Sequence, residues 1–195
     1  MKITPIAVAV LAISLITALP GFAHSGGAIG GLTSGLLHPI TGLDHVVAMV
    51  AVGLWGGILG GGAIWQLPVI FPLVMALAGA LGALGVPLPG IETGIAASGI
   101  VLGLMVLLMV RPPIAVAAAI VGAFAIFHGH AHGTELPQAA NPLTYALGFV
   151  VATGTLHLCG IGLGQLMRWP AGKLAVRAMG GVIALAGGAF LTGLA

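Results

Sequence analysis

Within the eight residues His38-Pro39-Ile40-Thr41-Gly42-Leu43-Asp44-His45, at the head of a long apolar run, stand three side chains able to ligate a metal. About ninety residues later Phe127-His128-Gly129-His130-Ala131-His132-Gly133-Thr134-Glu135 closes a second apolar run. Together the two segments hold five of the seven histidines and two of the three acidic residues. Imidazole and carboxylate are ligands for divalent transition metals. Ionisable side chains in a span cost at least ~2.5 kcal/mol each to insert, so a cluster of them marks an ion or proton route. One shared metal site is the reading that follows. A proton relay without metal is the competing functional reading, and polar side chains that merely tie helices together are the structural one.

At 100° per residue, His128, His132 and Glu135 fall at i, i+4 and i+7 on one helix face, while His130 points away. Two imidazoles one turn apart chelate a single cation. In a regular helix His38 and His45 would share a face but lie roughly 10 Å apart along the axis. Pro39 and Gly42 predict an irregular start that folds His38 back toward Asp44 and His45. Asp44 and His45 are adjacent and diverge by about 100°, which suits one of them as a ligand while the other orients a ligand or faces a neighbouring helix.

The elements that must position these groups are membrane spans. The chain has 195 residues, of which 59% are hydrophobic and 4% charged, and its mean hydropathy is +1.25. So little polar surface leaves the bilayer as the solvent. Only five basic residues produce the net charge of +2, so no polyanion and no nucleic acid is expected as a partner. The single cysteine, Cys159, permits neither an internal disulfide nor a thiolate cage.

The fold class expected is all-α, a polytopic helix bundle of six transmembrane helices after a cleavable signal peptide. Residues 1–23 form the leader: Lys2, an apolar Ile6 to Leu19, and small residues at Gly21 and Ala23 ahead of cleavage before His24. Residues 24–195 form the membrane domain. The new N-terminus would offer the amine and imidazole of His24 as a further metal ligand. Ser25 to Leu37, rich in Gly and Ser, reads as a short mobile lead-in. Apolar runs at 39–60, 64–86, 91–110, 114–133, 143–166 and 176–195 are the six expected spans. Arg111, Arg168 and Lys173 fall at connections on one side, and Arg177 at the adjoining end of the last run, which the positive-inside rule makes cytoplasmic. The mature N-terminus is then periplasmic and the protein lies in the inner membrane of a bacterium. His38, Glu92 and 128–135 share the outer side.

Glycines at four-residue spacing, Gly53 with Gly57 and Gly61, Gly99 with Gly103, and Gly160 with Gly164, predict close helix packing. His157, deep in the fifth run, is either a further station on a route or a buried hydrogen-bonding histidine. Glu92 reads first as a helix-start carboxylate. Met105 and Met109 read as packing.

At its two ligand segments the chain resembles the HupE/UreJ family of nickel and cobalt permeases. That family's first motif, His, five residues, Asp-His, is met by His38, Asp44 and His45. Its second, Phe-His-Gly-x-Ala/Val-His-Gly-x-Glu, is met by Phe127, His128, Gly129, Ala131, His132, Gly133 and Glu135. His130 and Thr134 occupy the variable positions. The resemblance implies that His38, Asp44, His45, His128, His132 and Glu135 carry transport of Ni2+ or Co2+ as substrate, with no organic cofactor and no catalytic residue. His24, His130, His157 and Glu92 are possible additions. No Walker motif is present, so the expected permease is secondary and not an enzyme. The alternatives are a metal-binding accessory or sensor protein for hydrogenase or urease maturation, and a membrane metalloenzyme.

Overall fold

A computed structural model describes residues 28–135 and 141–194; the expected leader, its cleavage point and His24 lie outside them. Among the described residues all regular structure is helical. The elements are α1 (Ala28–Thr41), α2 (Leu43–Leu59), α3 (Ala63–Ala83), α4 (Ile91–Leu107), α5 (Ile114–Thr134), α6 (Pro142–Gly164) with a 3₁₀ turn at Gln165–Arg168, and α7 (Pro170–Thr192). Four of them, α3, α5, α6 with its turn, and α7, are long and apolar enough to cross a membrane. The bent pair α1 and α2 would make five, and α4 is a shorter apolar helix. Val69, Leu73, Leu77 and Leu81 form an exposed stripe on α3. Leucines at one-turn spacing on an outer face suit hydrocarbon and not water.

The expectation of a mobile lead-in at 25–37 is corrected from Ala28 onward, where the chain is the helix α1. Its glycines are a packing surface. A Cβ at Gly35 would strike the Tyr145 backbone, and one at Gly148 would strike the backbone of Leu32. The first apolar run therefore does not begin a helix at 39. Pro39 sits inside α1, and the break falls at Gly42, where α1 and α2 meet at 79°. Helix α7 likewise starts six residues before the expected run, at Pro170, because proline's fixed φ suits a first helical position.

Small residues set the other contacts. Gly53 and Gly57 of α2 face Gly160 and Gly164 of α6, and Gly99 and Gly103 of α4 face Gly187 and Gly180 of α7. Such contacts bring backbones close where burial from water gives no drive to associate. Gly61 does not join them, since at φ 53 it forms the turn between α2 and α3. Met105 and Met109 pack against the apolar core.

The bundle is polarised. The chain order and contacts put Asp44, Glu92 and Glu135 with the histidine segments at one end, beside the finish of α7 at Phe190. Arg111, Arg168, Lys173 and Arg177 lie at the other end, where Arg177 Nε donates to the Leu107 carbonyl at 2.9 Å.

Candidate metal centre

The break at Gly42 and the last two turns of α5 bring the two ligand segments together. His132 is the hub. Its ring centroid lies 4.7 Å from that of His38 and 4.3 Å from that of His45, and His45 lies 4.7 Å from His128. Ligand atoms of His38, His132 and Glu135 all fall within 4.8 Å of one another. His38 Nε2 stands 3.3 Å from Glu135 Oε2, and this carboxylate is the more exposed partner. The cluster is thus buried at His132 and His128 and open at Glu135.

Hydrogen bonds to neighbouring groups decide which nitrogens carry lone pairs. Asp44 Oδ1 accepts from His45 Nδ1 at 2.8 Å and from the His45 backbone N–H at 2.9 Å. A carboxylate only accepts, so His45 Nδ1 carries a proton, and in the neutral imidazole Nε2 carries the lone pair. That Nε2 is buried with no hydrogen-bond partner. Ser98 Oγ spends its one proton on the Ile95 carbonyl at 2.6 Å, so at 2.8 Å it must accept from His128 Nε2. His128 Nδ1 is then the basic nitrogen, buried and unpartnered, as are both nitrogens of His132. Carboxylate and hydroxyl partners that fix an imidazole's tautomer and aim are the usual support of metal-ligating histidines.

Gly42 makes this possible by size. A Cβ there would come within 3.0 Å of Asp44 Oδ1 and 3.1 Å of His45 Nδ1. The other glycines of the second segment serve the scaffold. Gly129 and Gly133 turn to α3, where a Cβ would meet the backbone of Met75 and Gly79. Phe127 fills the space above Gly94 of α4. His130 does point away from the cluster, donating through Nε2 to the Val86 carbonyl at 2.6 Å.

Two sequence candidates stand apart. Glu92 is exposed on the first turn of α4 and lines a separate cavity of about 390 Å³ with Thr41, Asp44 and Phe190. His157 lies deeper, touching Phe71 at 5.5 Å between ring centroids. Three contributors escaped the sequence reading: Ser98; Phe149, 4.4 Å from the His132 ring; and Tyr145, 6.0 Å from the His38 ring. Ser98 and the single tyrosine are polar groups inside apolar runs, which is a signal available in the sequence.

Fold and cluster together define a class, a membrane-type helical bundle that gathers imidazole and carboxylate donors at one end. A family model described as HupE / UreJ protein matches residues 10–190. The chain is 49% identical over 178 residues to Protein HupE of Rhizobium leguminosarum bv. viciae, covering 90% of this chain and 93% of that one. It belongs to the HupE/UreJ family. No solved structure matches it.

Proposed function

We propose that the protein is a secondary permease that carries nickel or cobalt across the bacterial inner membrane, capturing the divalent ion on the periplasmic side. The observation that carries this reading is the convergence of His38, His132 and Glu135 within 4.8 Å, from two segments far apart in the chain. Neutral imidazoles with a carboxylate suit both ions, which are neighbours in ligand preference. His45 and His128 supply further nitrogens, and Asp44 holds His45 in the binding tautomer. Glu135, exposed at the rim, would meet the hydrated ion first, and the buried imidazoles would replace its water.

Six spans are part of the proposal. The pair α1 and α2 serves as one broken span. Seventeen-residue α4 rises about 26 Å, near the ~30 Å of hydrocarbon. Four basic groups at the end opposite the cluster support the orientation. The leader at 1–23 would be removed on export.

The test is purified protein in liposomes loaded with a metal-responsive dye, challenged in turn with nickel, cobalt, zinc and manganese. Nickel or cobalt should light the dye, and His132→Ala at equal incorporation should not. Equal signals from the two proteins would remove the permease reading.

A further inference from the structure

Among the described residues, the buried polar side chains divide into those at the entry cluster or bonded to it, those bonded elsewhere, and one remaining pair. The pair is Thr153 and His157 on α6, 0% and 1% exposed. Thr153 Oγ1 and both ring nitrogens of His157 lack a hydrogen-bond partner. Buried polar groups are nearly always satisfied, and an intramembrane histidine left open on both nitrogens is a costly thing to keep in a packed bundle.

Their position gives the pair a role. Tyr145, Phe149, Thr153 and His157 are all buried and follow one another at four-residue steps, so they form one stripe down α6. The stripe begins at the cluster, where Tyr145 touches His38 and Phe149 touches His132. It ends at His157, about 18 Å farther along the axis than Tyr145, past the middle of a ~30 Å bilayer. The two sites are linked on the other side by Phe71, whose ring lies 5.6 Å from His128 and 5.5 Å from His157. Gly53 of α2 presses on the His157 carbonyl, which fixes that turn of α6 against α2.

Resting on the permease reading, we infer that His157, with the Thr153 hydroxyl, forms an inner station that holds the divalent cation between the entry cluster and the opposite face. One imidazole and one hydroxyl make a poorer ligand set than the entry cluster. That is the order a conduit needs, with firm capture outside and a site inside weak enough to release its ion.

The experiment measures nickel flux into dye-loaded liposomes over a range of metal concentration, for wild type, His157→Gln, His157→Cys and Thr153→Val at matched incorporation and matched gel-filtration profile. His157→Gln should lower the maximal rate at least tenfold while leaving the half-saturating concentration, set at the entry cluster, within twofold. His157→Cys keeps a donor atom of softer character, so it should regain part of the rate and shift preference toward cadmium. A purely structural histidine would give Gln and Cys variants with the same metal preference, and that result overturns the inference, as does wild-type flux from His157→Gln. Should His157→Gln fail the gel-filtration match, Thr153→Val carries the test: an unchanged maximal rate overturns the station, a lowered one supports it. A silent wild type overturns the permease reading and the station with it, whereas an active wild type matched by His157→Gln overturns the station alone.

Discussion

At the end of the bundle that carries Arg111 and Arg177, side chains finish what the backbone leaves open. Trp55 Nε1 donates to the Val110 carbonyl and Arg177 Nε to that of Leu107, both at 2.9 Å, so carbonyls at and just past the close of α4 are satisfied. At the histidine end the same means serve another purpose. Asp44 and Ser98 bond one nitrogen of His45 and of His128 and thereby expose the lone pair of the other. One end is stapled, and the other has donors beyond the partners its own chain supplies. The difference supports the proposed cation site over a role in helix cohesion, because cohesion alone is achieved at the far end with ordinary hydrogen bonds.

The largest effect should come from exchanging the treatments. His38→Ala with His132→Ala should abolish nickel uptake by cells, while Trp55→Phe with Arg177→Gln, at equal abundance, should keep at least half of it. If the second pair lost uptake as completely as the first, the contrast between the ends would be gone. Next in size, Asp44→Asn keeps shape but removes the charge and frees the His45 tautomer. Removing such a partner costs about 10–100-fold in metal affinity, to be read as a rise in the half-saturating nickel concentration. Acidifying the outer medium should raise the same quantity, since protonated imidazole has no lone pair to give. The sign is fixed: apparent affinity falls as pH falls, and a rise on acidification would point to the proton relay instead. Gly129→Val drives a side chain into the Met75 backbone and should destabilise the bundle by about 1–3 kcal/mol, seen as a lower melting temperature in detergent. Smallest in its effect on uptake is Trp55→Phe alone, which should leave uptake unchanged while the lost hydrogen bond and the smaller ring in a fully buried place lower the melting temperature.

The helical runs were legible because hydropathy reports solvent, and lipid leaves no other way to satisfy a backbone. Each of the six runs corresponds to a helix, with ends displaced where proline or a turn glycine intervenes. Helix α1 was not legible. Gly31 and Gly35 look like linker residues by composition, and only the shape of α6, more than a hundred residues away, makes them a contact surface. The grouping of donors could be read from spacing in α5. What spacing could not show was how far the chain turns at Gly42, and so whether His38 would reach Glu135. Tyr145 and Phe149 were hidden for a related reason, since an aromatic in an apolar run looks alike whether it faces lipid or a histidine.

Gly129 and Gly133 alternate with His128 and His132, so the turns of α5 that display the histidines also press its backbone onto α3. On the permease reading, α5 cannot draw back from α1 and α2 to widen the site, because its backbone already rests against Met75 and Gly79 of α3. On that reading, exchanging nitrogen for oxygen or sulfur is the easier route to a changed ion preference than resizing the site from the α5 side.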